Sequence, residues 1–330
     1  MKSPITGKEM RHGYEPAVWT FRGTEYPYIR EFWECEDTHE QFTTTESDTA
    51  GLNQVTNQYR SRHGIPYIDE IINLRKRYGI SAVMMSRILG MGDNQYRYYE
   101  NGDVPSESNG KLIRSVFNPN VMLELVLGSK DVIGEKEYKK LVARISEIAE
   151  SSSQQDKKAL AELQRLYTAQ RGAATGFAPQ SLDRLKNILL YILERCGDTW
   201  ITKMNKLLFY ADFASYRDYG MAITGLPYRA LDFGPVPETW SKLYSEFDEV
   251  GQELVSSPRF EGVILRGGAR PDDSVFTEAE RTVLNRVCEK LGKLSSGEIS
   301  KLSHQEDAWI NFHKGHHPIN FEAAFSLRAL

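Results

Sequence analysis

The chain has 330 residues, of which 40% are hydrophobic, and this length predicts two or three folded units. Its 41 basic and 45 acidic residues give a formal net charge of −4, which excludes an overall basic coat for binding nucleic acid. Three widely spaced cysteines, a polar start and no long apolar run together predict a cytoplasmic protein without disulfides, export signal or membrane partner.

The N-terminal region is rich in aromatic residues that alternate with polar ones. Between Glu15 and Thr45 this alternation predicts two strands joined by a turn at Arg22-Gly23. Ser47 is a candidate cap for a helix that ends near Gly64.

Residues 67–127 show the pattern of several short helices. One is predicted from Ser81 to Leu89 and another from Asp93 to Glu100, with a glycine-bearing turn between them. Two short helices around such a turn are the geometry of a helix-turn-helix, whose second helix enters the major groove of DNA. A small helical domain that only dimerises would give the same pattern.

An amphipathic helix follows from Glu135 to Glu150. The sequence predicts an interruption at Ser151–Gln155, a resumption at Leu160 and a flexible joint at Gly172–Gly176. This segment is either a spacer that contributes to a dimer or a connector helix docked on a neighbouring domain.

From Phe177 the chain predicts a larger domain dominated by helices. Short extended segments are expected at Tyr228–Phe233 and Arg259–Leu265, a capping box at Thr277, and a helix over Ser296–Ser303. The predicted fold class is mainly α with small β. The predicted domains are a β-rich domain at 1–63, a helix-turn-helix domain at 64–127, a helical linker at 128–176, and a C-terminal domain at 177–330.

The first 127 residues resemble the MqsA antitoxin family. The segments that carry this resemblance are Thr20-Phe21-Arg22-Gly23, Trp33-Glu34-Cys35 and Arg97-Tyr98-Tyr99-Glu100-Asn101-Gly102. The resemblance implies a small zinc-binding domain joined to a dimerising helix-turn-helix that binds DNA.

The zinc ligands of that family are largely absent here. Its two Cys-x-x-Cys pairs correspond to Ser3 and Thr6, and to Cys35 and Thr38. Because a structural zinc site needs four ligands, we expect no metal and no cofactor. We expect buried aromatic residues to stabilise the domain instead, namely Trp19, Phe21, Tyr28, Phe32 and Trp33.

The resemblance also indicates which residues would contact DNA. Asn94 aligns with a base-contacting asparagine, whereas Tyr98 stands where the family has an arginine, so the operator sequence should differ. Gln95 and Arg97 are further candidate base contacts, and Ser81 and Arg87 are candidate phosphate contacts.

The C-terminal half resembles the SocA-like antitoxin domain, also called Panacea. Four motifs carry this resemblance in order: Lys206-Leu207-Leu208-Phe209-Tyr210-Ala211-Asp212, Ile223-Thr224-Gly225-Leu226-Pro227-Tyr228, Phe233-Gly234-Pro235-Val236-Pro237, and His304-Gln305-Glu306-Asp307-Ala308-Trp309. The resemblance implies a module that neutralises a protein toxin by covering its surface.

A toxin-binding surface needs aromatic and apolar groups rather than catalytic ones. Six aromatic residues are candidates: Tyr210, Tyr216, Tyr228, Phe233, Trp240 and Tyr244. The alternative is that they form ordinary core, especially Tyr210 and Phe233. We expect Gly234–Pro237 to form a rigid turn before a helix, and His304 to pack against Trp309. We expect no catalytic residues and no enzymatic activity, because no histidine or cysteine has a recognisable partner.

The sequence therefore predicts a type II antitoxin that binds its cognate toxin, represses its own operon and forms a homodimer. One alternative is an adaptor that delivers the toxin to an ATP-dependent protease. Another is a stand-alone transcriptional regulator whose second half senses a ligand.

Overall fold

The computed structural model describes residues 1–257 and 260–330, and over these ranges the chain is mainly helical with small antiparallel sheets, as predicted. The strands are β1 (Arg11–Phe21), β2 (Thr24–Glu34), β3 (Gln41–Phe42), β4 (Thr199–Trp200), β5 (Tyr228–Leu231), β6 (Gly234–Pro237), β7 (Val250–Ser257) and β8 (Phe260–Gly267). The predicted strand at Arg259–Leu265 thus begins outside the described residues.

The helices account for most of the remaining regular structure. They are α1 (Thr45–His63), α2 (Ile68–Tyr78), α3 (Ala82–Ile88), α4 (Gln95–Glu100), α5 (Glu107–Ser115), α6 (Pro119–Gly128), α7 (Lys130–Ile133), α8 (Glu135–Leu166), α9 (Leu182–Cys196), α10 (Ile201–Tyr219), α11 (Trp240–Leu243), α12 (Glu278–Leu291), α13 (Ser296–Ser303) and α14 (Asp307–Ile310). None of these described helices combines the length and apolar character that a bilayer crossing requires.

The chain folds into two compact units. One contains residues 1–55 together with 163–330, and the other contains residues 56–162. The N-terminal strands therefore share a unit with the C-terminal region. The four domains derived from the sequence, with their boundaries, stay a prediction.

The N-terminal strands form the predicted hairpin. β1 and β2 pair antiparallel from Arg11 opposite Glu34 to Phe21 opposite Thr24, and β3 extends the sheet beside β2. The turn residues Arg22 and Gly23 both have positive φ, at 51° and 78°, which suits the right-handed twist of a tight hairpin.

The expectation that aromatic burial stabilises this region is mostly wrong. Phe32 is buried, but Trp19 is exposed and the other three predicted aromatics are only partly covered, although the hairpin contacts α1 through hydrogen bonds between Ile29 and Gln54. Cys35 is buried instead, 3.5 Å from Thr6 Oγ1. Hydrogen bonds from the Ser3, Thr38 and Thr6 hydroxyls lower the pKa of the Cys35 thiol to about 6. The positions that resemble zinc ligands therefore form a cluster of hydroxyls around one thiol.

The unit of residues 56–162 has its own apolar core. Ile71, Tyr78, Met85, Tyr96 and Ile113 are fully buried within it. The predicted amphipathic stripe of α8 packs on this core through Leu141 and Ile145, so its first half belongs to the helical bundle. The predicted interruption at Ser151–Gln155 is wrong, because α8 continues to Leu166. Serine has only a modestly unfavourable helix propensity and glutamine a favourable one, so this segment costs less than breaking the helix.

The C-terminal part is built around α10, which is buried over most of its length. Sheet β4-β8-β7 is antiparallel, and β5 and β6 form a separate two-stranded hairpin. The predicted capping box at Thr277 and the helix Ser296–Ser303 are confirmed. Gly172–Gly176 is a packed 3-10 turn rather than a flexible joint, since a side chain at Gly176 would meet Ala222 and Phe321.

Asp212 is a fully buried carboxylate near the C-terminal end of α10. Its Oδ1 accepts hydrogen bonds from the backbone N–H groups of Ile223 (2.8 Å) and Thr224 (2.7 Å), and its Oδ2 accepts from the Thr224 and Tyr228 hydroxyls, the latter at 2.6 Å. Burial raises the pKa of Asp212, while these four donors oppose that rise. Asp212 therefore ties α10 to the segment that leads into β5.

We expect Asp212→Ala to lower the free energy of unfolding by at least about 2 kcal/mol, because buried donors would lose their acceptor. Urea unfolding followed by circular dichroism measures this loss. The control is Asp198→Ala, which removes an exposed ion pair with Arg266 and should cost at most about 1 kcal/mol. Equal losses in both variants would contradict the structural role of Asp212.

Candidate functional site

Four of the six predicted toxin contacts lie in the core of the C-terminal region. The Tyr210 hydroxyl donates to Glu306 Oε1 (3.3 Å), that of Tyr228 to Asp212, and that of Tyr244 to Asn205 Oδ1 (2.6 Å). Tyr216 is buried in an aromatic cluster with Phe321. In this conformation these tyrosines build the domain and present little surface to a partner, because their rings are buried and the hydroxyls of Tyr210, Tyr228 and Tyr244 are hydrogen-bonded internally.

The other two candidates are exposed. Phe233 lies in the turn between β5 and β6 and is 75% exposed, so the alternative that it belongs to the core is wrong. Trp240 begins α11 and is 38% exposed. The expectation that Gly234–Pro237 forms a turn is also wrong, since these residues form β6 and pair with β5. The prolines fit because this two-stranded hairpin consists only of edge strands.

The hairpin that carries Phe233 is held through its β5 strand. Trp309 Nε1 donates to the Leu231 carbonyl (2.8 Å), and the Arg229 guanidinium pairs with Glu238 (3.0 Å). The backbone N–H of Ile319 donates to the carbonyl of Tyr228 at 2.8 Å. An exposed phenyl ring on an anchored hairpin loses little conformational entropy when a partner covers it.

Three rings stack beside this hairpin. His304 lies on Trp309 with ring centroids 4.0 Å apart, which confirms the predicted pair, and His313 covers the other side of Trp309 at 4.1 Å. Burial lowers the pKa of His304, as do the charges of Lys206 and His313. The sequence did not indicate His313, because its place in the stack depends on the turn after α14.

Lys206 is the most unusual residue near the hairpin. It is 0% exposed, and its Nζ has no hydrogen-bond partner among the described residues. Burial lowers the pKa of Lys206 to about 7. The neighbouring His304 Nε2 is likewise buried with no partner in the part of the chain that the structure describes. A buried polar group without a partner costs about 1–3 kcal/mol, so two of them in this region indicate a candidate site.

Gly234 leaves room for the Lys206 side chain. It has φ +103°, and a Cβ at this position would lie 2.5 Å from Ser303 Oγ and 2.7 Å from Lys206 Cε. Sequence reasoning missed Lys206 as a functional residue. The only signal was a lysine within a stretch that folds as a buried helix.

Lys203, one turn earlier on α10, is a natural comparison. It is also buried, but its Nζ donates to the Gly292 carbonyl at 2.6 Å. The fold therefore satisfies one buried lysine and leaves the other unsatisfied.

The predicted DNA contacts lie in the other unit, on α3, α4 and the turn between them. Asn94, Arg97 and Tyr98 are exposed along one face of α4, Tyr98 by 51%, and Gln95 is half-buried. Tyr96 and Tyr99 face the core, and the Tyr96 N–H donates to Ser86 Oγ (3.0 Å) on α3. Because Tyr96 and Tyr99 point to the core, three of the four candidate base contacts lie on the solvent-exposed face of α4.

The two candidate phosphate contacts both have local partners. Ser81 caps α3 by accepting from the Met84 N–H (3.2 Å). The Arg87 guanidinium binds Asp93 through two hydrogen bonds of 3.0 and 2.8 Å, and it keeps the pKa of that carboxyl below its usual value. A phosphate would compete with Asp93 for Arg87.

A cavity of about 580 Å³ lies elsewhere in the unit formed by residues 1–55 and 163–330. His12, Tyr14, Trp33, Arg217 and Arg286 are among its lining residues. Lys206 and the six predicted toxin contacts do not line it. Across the described ranges, no group of three or more histidine, cysteine, aspartate or glutamate side chains is placed to hold a metal ion.

The C-terminal part is a mainly helical domain that carries an exposed aromatic ring on a short hairpin. Residues 204–310 match the family model of the antitoxin SocA-like, Panacea domain. This stretch contains Lys206, Phe233, His304 and Trp309, and it supports an antitoxin-like C-terminal part. A search of the curated proteins found no match. Because the family match lies wholly in the C-terminal part, the MqsA-like resemblance stays a prediction.

We expect Lys206→Met to raise the free energy of unfolding near pH 7, whereas Lys203→Met should lower it by leaving the Gly292 carbonyl without its donor. Between about pH 7 and the ordinary lysine pKa of 10.5, the unfolded chain binds a proton at Lys206 that the folded chain does not. The stability of the wild type should therefore rise with pH in this window, and the advantage of Lys206→Met should shrink.

Urea unfolding of both variants and the wild type at a series of pH values measures these differences. A Lys206→Met variant that is less stable than the wild type at pH 7 would contradict the absence of a partner for the amine.

Proposed function

We propose that this protein is a type II antitoxin whose C-terminal domain neutralises a protein toxin by binding it directly. The single observation that carries the proposal is the exposed Phe233 on an anchored hairpin, within the stretch that matches the antitoxin SocA-like family. Large aromatic side chains are frequent hot spots of protein interfaces. Trp240 is the second surface contact in this proposal.

The proposed role is binding rather than catalysis. The exposed features near the hairpin are aromatic and stacked rings, which suit a partner surface. The four buried tyrosines of the predicted set act indirectly, since they hold the helices on which the hairpin rests.

We expect Phe233→Ser to weaken toxin binding by about 2 kcal/mol, roughly 30-fold in Kd, without lowering stability, because the ring is exposed. The matched control is Leu254→Ser on β7, which removes an apolar side chain that is 63% exposed outside the hairpin. The readouts are growth of cells that co-express the product of the neighbouring gene, and co-purification of the two proteins.

If no neighbouring gene product is toxic alone and silenced by co-expression, the antitoxin proposal fails. Rescue that persists in a host without ATP-dependent proteases supports masking of the toxin. Rescue that disappears in that host would instead favour an adaptor that delivers the toxin for proteolysis.

We also infer that residues 64–127 bind operator DNA as a homodimer and repress the operon. The supporting observation is the exposed face of α4 with Asn94, Arg97 and Tyr98. An asparagine can bind adenine and an arginine can bind guanine through paired hydrogen bonds. The exposed Leu127 on α6 and Val132 on α7 are candidates for the dimer contact. Two copies would double the phosphate contacts that a single weakly charged module makes.

The double variant Asn94→Ala, Arg97→Ala should stay folded and bind the upstream DNA at least about tenfold more weakly, because both side chains are exposed and each would lose base contacts. The control is Lys140→Ala on α8, which removes an exposed charge from the same unit away from α4. Fluorescence anisotropy at several salt concentrations measures the affinity. Undiminished binding would exclude these residues as base contacts.

A further inference from the structure

We propose that Lys206 and His304 line a pocket beneath Gly234 that accepts a carboxylate side chain of the bound toxin. This inference rests on the proposed antitoxin function and specifies the chemistry of the partner. The toxin would cover Phe233 and place an aspartate or glutamate next to that ring.

Two buried nitrogen atoms in this region have no acceptor among the described residues. Lys206 Nζ and His304 Nε2 are both buried, and neither has a hydrogen-bond partner within the described ranges. An ammonium group has three donors and no acceptor, and the neutral imidazole donates from Nε2 when its proton is there. The nearby Ser303 hydroxyl donates to the Ser300 carbonyl at 2.8 Å, and no hydrogen bond joins its oxygen to Lys206 Nζ in the described part of the chain.

A carboxylate suits these donors better than a single carbonyl does. It offers two acceptor oxygens, and its charge compensates a lysine ammonium. The comparison with Lys203 strengthens the point, since the fold supplies the Gly292 carbonyl to that lysine and nothing to Lys206. An unsatisfied buried group that the protein retains at the expense of stability indicates function.

The position of Gly234 connects the pocket to the protruding ring. Gly234 follows Phe233 directly, and the absence of a side chain leaves the Lys206 chain and Ser303 within van der Waals reach of the backbone. Lys206 has no exposed surface, so it must rotate about its flexible four-carbon chain to meet the carboxylate. A toxin that covers Phe233 would shield the new ion pair from water.

Binding of the carboxylate changes the protonation of Lys206. Burial lowers the pKa of Lys206 to about 7, so part of the population carries a neutral amine at neutral pH. A carboxylate beside the amine favours the ammonium form, and the proton comes from solvent. His304 is the titratable neighbour that shares the pocket, and the pKa of its ring is lowered by burial and by the Lys206 charge.

The direct test uses formate as the probe and the full chain labelled with ¹³C and ¹⁵N in lysine. NMR titration should show one lysine that titrates near pH 7 and whose signal is missing in Lys206→Met. Sodium formate should raise the pKa of that lysine by about one, whereas sodium chloride at equal ionic strength should not. The same response is expected in Lys242→Met, an exposed lysine on α11. If formate and chloride act alike, a water molecule satisfies the amine and the proposal is overturned.

A second measurement shows whether the carboxylate belongs to the toxin. Lys206→Met should stay folded and neutralise the neighbouring toxic product at least about tenfold less well, whereas Lys242→Met should neutralise it normally. Normal neutralisation by Lys206→Met would overturn the assignment of the carboxylate to the toxin. If the wild type fails to neutralise the toxic product but Lys206 still responds to formate, the proposed antitoxin function is excluded and the carboxylate pocket remains supported.

Discussion

The buried carboxylate of Asp212 is the constraint on which the C-terminal domain depends. Four donors converge on it from the segment 223–228, so the chain that follows α10 has a fixed path into β5. That path sets the position of the hairpin. As a result, Phe233 is exposed and Gly234 lies against the Lys206 side chain. A charge buried at this depth is tolerated only because its oxygens are fully hydrogen-bonded.

Lys206 shows the opposite arrangement on the same helix. Lys203 Nζ donates to the Gly292 carbonyl and the Asp212 oxygens accept four hydrogen bonds, whereas Lys206 Nζ has no acceptor among the described residues. A domain that were optimised only for stability would fill this place with an apolar side chain. In the function that we propose, the hairpin offers its exposed ring to the partner, and Lys206 is the buried cation that the partner would reach.

In the N-terminal region, hydroxyl groups surround a single buried thiol. Ser3, Thr6 and Thr38 bind the Cys35 thiol through their hydroxyls. Hydroxyl groups make directional hydrogen bonds that hold the turns, while several aromatic residues of the hairpin are only partly covered. The expectation of aromatic compensation failed because alternation along a ribbon does not say which side is covered.

The sequence by itself determined the mainly helical class, the Arg22-Gly23 hairpin, the capping box at Thr277, and the motifs that match the antitoxin family, because periodicity and turn chemistry are local properties. It could not separate the buried tyrosines from the exposed Phe233, since both are aromatic residues within conspicuous motifs. It also gave no sign that Lys206 lacks a partner while Lys203 has one. Those distinctions depend on which distant backbone groups reach each side chain, and only the tertiary structure decides that.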